Sequence, residues 1–211
     1  MSDVAGGPAP ASTSNGRLVP VGLVVLLQIQ KKKLNVVTPD GKVYRTTSLI
    51  EVESLKVGSG GVIAAIDGGW VLDRHHSGHP AEANEHRPHR VLSIGFTRHY
   101  KLIESEFGWA PLGAAGENIV VDTEERLHHE DVAKGFVIRT SGGELELDPP
   151  DVLNPCVPFS KFLLRDPGTP ARRVVGAQRF LGAGMRGYSM GTSRVPDYAT
   201  VEKGDLVLRR V

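Results

Sequence analysis

The sequence contains a single cysteine, Cys156, among 211 residues. One cysteine cannot form an internal disulfide, so we expect a protein of the reducing cytoplasm. A lone thiol also argues against a zinc finger, because a structural zinc ion takes four protein ligands. The role of this single thiol is therefore a central question for the function of the protein.

The sequence also lacks a long hydrophobic run and a strong charge of either sign. The apolar stretch LVPVGLVVLLQIQ is shorter than the roughly 20 residues that a membrane-spanning helix needs. It ends at Lys31, Lys32 and Lys33, where a secretory cleavage site would have small residues. We predict a buried strand over residues 22–30 instead. With a net charge of +1, neither nucleic acid nor a membrane is expected as a partner.

Glycine (25 residues) and proline (14 residues) are abundant, which favours turns and short strands over long helices. Residues 1–18 are mostly small and polar and cannot bury a useful apolar surface, so we predict a disordered tail there. One domain is expected over residues 19–211. Further strands are predicted in the segments KVYRTTSLIEVE, GGVIAAID, HRVLSIGF, ENIVVD, GFVIRT, GELELD, GMRGYSMG and DLVLRR.

Three segments have the features of short helices. In TRHYKLIESEFG, Thr97 is a candidate N-cap, and Gly108 is placed to end the helix. PFSKFLLRD begins with Pro158, which suits a first helical position, and ARRVVGAQRFLG is the third candidate. Many strands with few helices predict a mainly β fold, a β-barrel with short helices packed on its rim.

Cys156 lies in a loop between Pro155 and Pro158, immediately before one of these helices. The N-terminus of a helix stabilises a negative charge, and the prolines restrict the loop, so a reactive or metal-binding thiolate is one interpretation. A buried free cysteine that behaves as a small hydrophobic residue is the other. The spacing alone leaves both open.

Four segments together resemble the MOSC domain, the C-terminal domain type of molybdenum cofactor sulfurases. LDRHHSGH (72–79) is similar to the Gly-Asp-Arg-His-x-Gly signature of that family, and LGAAGENIVVD (112–122) to its Pro-Gly-x-x-Gly-Glu-Asn stretch. LNPC (153–156) resembles its Pro-Cys element, and residues 184–210 resemble its ending, a Gly-x-Arg strand followed by Val-x-x-Gly-Asp. The four occur in the family's order.

The resemblance implies a MOSC-type β-barrel that binds the molybdenum cofactor (molybdopterin) or carries sulfur. Cys156 matches the family's thiolate, a ligand to molybdenum or the carrier of a persulfide, and would be the catalytic residue. A soft thiolate suits molybdenum, and the pterin dithiolene supplies the other sulfurs. The other positions expected to bind the cofactor are Arg74, His75, Gly116, Glu117, Asn118 and Arg186.

Of these, the two arginines and His75 are candidates for the cofactor's phosphate. Asn118 either offers its amide to the pterin or hydrogen-bonds within its own turn. The chain departs from the family pattern at Leu72, where the family has glycine, at an extra residue before Gly78, and at Leu112 in place of proline. These departures bear on the cofactor contacts more than on the fold.

Five of the eight histidines fall within fifteen residues and are a candidate zinc or iron site. Gly78 and Pro80 interrupt any helix that would align His75 with His79, and no His-Glu-x-x-His spacing occurs. We therefore interpret the segment as a solvated loop. The five are His75, His76, His79, His86 and His89.

Three functions follow from the resemblance. The first is a molybdenum-cofactor protein that reduces N-hydroxylated or N-oxide small molecules with electrons from a partner protein. The second is a sulfur carrier with a persulfide on Cys156, supplied by a sulfur-donor protein. The third is a non-catalytic binding module that has kept the fold without the cofactor.

Overall fold

The computed structural model describes residues 16–80, 86–166, 168–195 and 197–211. Its regular structure is mainly β, with four short helices among the described residues: α1 (Thr97–Phe107), α2 (His129–Val132), α3 (Val157–Leu164) and α4 (Ala171–Leu181). The prediction of a mainly β fold with a few short helices is confirmed. The predicted tail lies largely outside the described residues, and its boundary at residues 18 and 19 falls within the first strand.

The largest sheet has nine strands and curls as a half-barrel. Its strands follow the order β11-β10-β15-β1-β9-β8-β13-β12, and β4 pairs with the far end of β1. All its pairings are antiparallel except that of β8 with β9. The bounds are β1 (Leu18–Gln30), β4 (Leu49–Glu51), β8 (Leu92–Phe96), β9 (Ile119–Val121), β10 (Phe136–Thr140), β11 (Gly143–Glu146), β12 (Asp151–Val152), β13 (Tyr188–Met190) and β15 (Leu206–Arg210).

A four-stranded sheet and a separate hairpin complete the β-structure. The sheet has the order β14-β5-β6-β7 and consists of β5 (Ser54–Gly58), β6 (Gly61–Ile66), β7 (Gly69–Leu72) and β14 (Ala199–Glu202). The hairpin joins β2 (Asn35–Thr38) to β3 (Gly41–Tyr44) through Pro39 and Asp40. Gly41 has φ +115°, a backbone conformation that favours glycine at this turn. The segment KVYRTTSLIEVE thus forms two strands, β3 and β4, rather than one.

The first strand is longer than predicted and pairs with three others in turn: β15 near its start, β9 in its middle and β4 at its end. The register shifts at Pro20/Gly22 and again at Val24/Leu26. A Cβ on Gly22 would overlap the Asp122 carbonyl, so the first irregularity depends on glycine. These shifts let one strand bridge different parts of the curled sheet.

The apolar side chains form two clusters. The larger one fills the space between the two main sheets, and its fully buried members include Leu27, Ile94 and Phe136. The smaller one lies beneath α1, α3 and α4 and contains Tyr44, Phe159 and other aliphatic and aromatic residues. The second cluster anchors the helices and the hairpin on the same side of the sheet as Cys156.

The predicted helices occur, with corrected starts. Helix α1 begins at Thr97 and ends at Gly108, which has φ +79° as predicted for a C-terminal glycine. Thr97 is not the N-cap, because Phe96 occupies that position and the Thr97 hydroxyl donates to the Asp122 carboxylate at 2.6 Å. Helix α3 begins at Val157, one residue earlier than Pro158, and Cys156 is its N-cap residue.

Candidate functional site

A cavity of about 490 Å³ opens between the β2–β3 hairpin, the start of β8, the turn before β9 and strand β13. This volume lies in the range typical of small-molecule sites. Four of the predicted residues line it: His75, Gly116, Asn118 and Arg186. The geometry thus brings together side chains from segments far apart in sequence.

The charged residues that line this cavity are all basic. Among the described residues, no aspartate or glutamate lines it. The basic groups come from the β1–β2 connection, the hairpin, the segment before β8 and the turn before β13. They are Lys33, Lys42, Arg87, Arg90 and Arg186, with His75 beside them. Such a cavity attracts anions.

Cys156 lies at the edge of the cavity rather than in its lining. Its side chain is partly exposed, and its Sγ is 3.9 Å from both Nδ2 and Oδ1 of Asn35, which does line the cavity. The hairpin that carries Asn35 packs on α3, because the Tyr44 ring lies 5.0 Å from the ring of Phe159. The thiol is thus accessible, as a reactive cysteine requires.

Arg186 connects the thiol loop to the cavity. Its Nη1 donates to the carbonyl of Asn154 at 2.8 Å, and its Nη2 donates to the carbonyl of Ala115 at 3.3 Å. The guanidinium lies over the Phe159 ring, 5.2 Å from its centroid. These contacts hold a permanent positive charge against the carbonyl of Asn154, two residues before Cys156 in the chain.

Asp73, which the sequence analysis did not single out, organises the opposite side of the cavity. Its side chain is completely buried. The carboxylate accepts hydrogen bonds from the backbone of Gln30 at 2.8 Å, from the backbone and Nδ1 of His75 at 2.9 and 3.0 Å, and from Asn118 Nδ2 at 3.0 Å. The bond to Nδ1 fixes the His75 tautomer and leaves Nε2 for other contacts.

Asn118 is fully used within the fold. Its Oδ1 accepts from the backbone and the hydroxyl of Ser93 at 3.1 and 3.0 Å. Its Nδ2 donates to Asp73 and to the Gln28 carbonyl. Of the two interpretations of Asn118, the structure therefore favours the internal hydrogen bonds, although the residue still borders the cavity.

Arg74 and Glu117 are buried and do not line the cavity. Glu117 Oε2 accepts a hydrogen bond from the Tyr100 hydroxyl at 2.7 Å. Burial raises the pKa of Glu117 to about 7, while the Tyr100 hydrogen bond and the charge of Arg186 act in the opposite direction. Burial likewise raises the pKa of Tyr44 well above its usual range, against the lowering effect of Arg186. Glu117 is thus a buried carboxyl that titrates near neutral pH.

The histidine segment is only partly a solvated loop. His76 is 8% exposed, its Nε2 lies 2.8 Å from the Tyr198 hydroxyl, and its Nδ1 accepts from the backbone of Gly78. Burial and the neighbouring His86 lower the pKa of His76. Residues 81–85 lie outside the described residues, and within the described ranges no three His, Cys, Asp or Glu side chains are grouped as a metal site.

A second cavity, of about 500 Å³, lies at the β10–β11 turn and contains none of the predicted residues. Two of its carboxylates, on Glu144 and Glu146, pair with Arg139 and Arg194. We place the candidate site in the basic cavity because the predicted residues converge there. Within the described part of the chain, no helix is long and apolar enough to cross a membrane.

No protein-family model and no curated protein matches the chain. Among solved structures, the YuaD protein of Bacillus subtilis is similar, with 16% identity and a TM-score of 0.57 over 92% of this chain and 97% of that protein. YiiM of Escherichia coli is 19% identical, with a TM-score of 0.40 over 77% of this chain and 64% of that one. YiiM of Geobacillus stearothermophilus is 18% identical, with a TM-score of 0.44 over 91% of this chain and 75% of that one.

At 16% identity, the likeness to YuaD shows a shared fold and gives no information about a ligand or reaction. The two YiiM likenesses are weaker and carry no argument. The functional interpretation therefore depends on the motifs in the sequence and on the chemistry of the cavity.

Proposed function

We propose that this protein binds a molybdenum cofactor in the basic cavity, with Cys156 as the thiolate ligand to the metal. The observation that carries the proposal is the charge of the lining. Five lysine or arginine side chains and no carboxylate line the cavity among the described residues, and a partly exposed thiol lies at its edge. The motif resemblance to the MOSC family supplies the identity of the cofactor.

The donor set suits such a group. A pterin cofactor carries a phosphate, and Arg186, Lys33 and Lys42 offer cationic donors for it. The cofactor would supply redox chemistry at molybdenum. The contribution of the thiol is a soft ligand, held at the N-cap position of α3.

Other residues of the chain hold these groups in position. Asp73 orients His75 and Asn118, and the Asn35 amide lies against Cys156. Glu117 and Arg74 are buried, so they would act by supporting the residues that line the cavity. As an extension of the proposal, the bound cofactor reduces N-hydroxylated or N-oxide small molecules with electrons from a partner protein.

The test is the metal and phosphorus content of protein purified from a host that makes the cofactor. We expect close to one molybdenum per chain in the natural protein and a loss of most of it in Cys156→Ser. The fluorescence of the oxidised pterin gives a second, independent readout. Molybdenum bound equally by Cys156→Ser, or absent from both, would contradict the proposal.

Cys156→Ser is a usable variant because the fold depends little on this thiol. The side chain is partly exposed at the margin of the second apolar cluster, and among the described residues its polar contacts, at 3.9 Å, are with Asn35. We expect the free energy of unfolding to change by less than about 1 kcal/mol, as measured by urea denaturation. A large loss would indicate a structural, buried cysteine instead. Intact mass after mild thiol labelling separates the sulfur-carrier alternative, since a persulfide adds one sulfur atom at Cys156.

A further inference from the structure

Three buried donor atoms without a hydrogen-bond partner in the described chain belong to residues that line the basic cavity. They are Nε of Arg90, Nε of Arg186 and the hydroxyl oxygen of Ser189. Ser189 is only 3% exposed. A buried polar atom that makes no hydrogen bond costs about 1–3 kcal/mol, so its retention at a cavity wall points to a ligand.

The neighbouring strand provides an internal comparison. Ser189 on β13 lies directly opposite Ser93 on β8. The Ser93 hydroxyl donates to Oδ1 of Asn118 at 3.0 Å and accepts from the Asn118 backbone at 3.1 Å. Two serines on one row of the sheet thus differ in one respect: the fold satisfies Ser93 and leaves Ser189 without a partner.

Arg90 is held beside Ser189 by the turn that precedes β8. The Arg90 backbone donates to the Arg87 carbonyl at 2.7 Å, and the next residue, Val91, pairs with Met190. A Cβ on Gly191 would lie only 2.7 Å from the Pro88 carbonyl oxygen, so the absence of a side chain there allows the turn to pack against the strand. The turn therefore places two arginines, Arg87 and Arg90, at the cavity wall.

Arg90 makes a weak ion pair with Asp151. Its Nε lies 3.5 Å from Asp151 Oδ2, and the two side chains are 37% and 51% exposed. An exposed ion pair at this distance contributes little and leaves the N–H donor available. Arg186, by contrast, uses both terminal nitrogens on backbone carbonyls near Cys156.

We infer that Arg90 and Ser189 form an oxyanion-binding subsite that takes a phosphate or carboxylate group of a small molecule in the cavity. Both side chains offer donors, and the fork of the guanidinium matches the paired oxygens of such groups. Arg87 adds positive charge at the same wall. A cation does not fit this subsite, because no carboxylate from the described residues lines the cavity and Asp151, which is opposite Ser189 on β12, is paired with Arg90.

The subsite is distinct from the proposed metal ligand. Arg90 and Ser189 both line the cavity, whereas Cys156 lies at its edge and is not part of the lining. Binding of the anion requires neither molybdenum nor Cys156. Its success or failure is therefore separate from that of the proposed cofactor binding.

The experiment is a calorimetric titration of protein prepared without cofactor, using inorganic phosphate in one arm and acetate in the other. We expect saturable binding of at least one anion, weakened about tenfold in Ser189→Ala and more in Arg90→Met, because a hydrogen bond to a charged group is lost. The two arms identify whether phosphate or carboxylate is preferred. Arg139→Met is the matched control, since Arg139 is exposed on β10 and pairs with Glu144, and it should bind as the natural protein does.

The melting temperature of each variant separates a loss of anion binding from a loss of folding. Without added anion, Ser189→Ala should melt at the same temperature as the natural protein or higher, and added anion should raise its melting temperature less. Two results would overturn the inference: binding unchanged in Ser189→Ala, or no binding of either anion by the natural protein.

Discussion

Two adjoining parts of the wall of the basic cavity differ in how completely their polar groups are used. On the wall around Asp73, Asn118 and Ser93, the carboxylate, amide and hydroxyl hydrogen-bond to one another. On the wall around Arg90 and Ser189, Nε of Arg90 and the Ser189 hydroxyl make no hydrogen bond within the described chain. The first wall is built to be rigid, because fully satisfied buried networks fix one arrangement. The second is built to bind.

This difference changes the interpretation of the motif residues. Asp73 and Asn118 lie in segments that resemble the family motifs, and their polar groups are occupied by internal hydrogen bonds. Arg90 lies outside these segments, and Ser189 lies in the last of them at a position that the motif does not specify. A residue type that suits a ligand is therefore a weaker indication than a donor left unpaired at a cavity wall.

The largest expected change in the free energy of unfolding comes from removing the Asp73 carboxylate, which is at the centre of the hydrogen-bonded network. Asp73→Ala would leave the backbone of Gln30 and His75 and the amide of Asn118 without their acceptor, so we expect a loss of about 4 kcal/mol or more. Chemical denaturation measures it. Glu144→Ala, which removes an exposed ion pair, should cost less than about 1 kcal/mol. Similar values for the two variants would mean that the network does not support the fold.

The next effect concerns the pH dependence of stability. Burial raises the pKa of Glu117 to about 7. The folded protein therefore holds a proton on Glu117 that the unfolded chain releases near its ordinary pKa. Stability should fall as pH rises from about 4.5 to about 7 and level off above that, by about 3 kcal/mol from this group.

Glu117→Gln isolates this contribution, because the amide oxygen can still accept from Tyr100 and cannot ionise. The difference in unfolding free energy between the variant and the natural protein should change across that pH window. Glu104→Gln, an exposed position on α1, is the control and should show no such change. A difference that stays constant with pH would mean that Glu117 is ionised in the folded protein.

The smallest expected changes in stability are those of the two facing serines, and they compare the two parts of the cavity wall most directly. Ser93→Ala removes a hydroxyl that serves Asn118, and we expect a loss of about 1–2 kcal/mol. Ser189→Ala removes a hydroxyl without a partner in the described chain, so its expected change lies between zero and a slight gain. Thermal unfolding of the two variants side by side measures both. Equal losses would show that the two walls do not differ.

Much of the fold was predictable because it depends on local patterns. The alternating apolar segments formed strands, and the glycine at position 108 ended α1 where expected. The split of KVYRTTSLIEVE into β3 and β4 was missed, because the hairpin leaves the main sheet to pack on α3 through Tyr44. That choice depends on contacts with Phe159, more than a hundred residues later in the chain.

Local sequence patterns were enough to predict a mainly β domain with one thiol directly before a short helix, since turn residues, apolar alternation and prolines act over a few residues. They left open whether that thiol is buried or accessible. The convergence of His75, Asn118 and Arg186 on one cavity was expected from the motifs, but only the tertiary structure decided which polar groups are consumed there. Asp73 meets Asn118 across 45 residues, and Ser93 meets it across 25. Whether a serine hydroxyl has a hydrogen-bond partner depends on such distant pairings, so Ser189 could be distinguished from Ser93 only in the folded molecule.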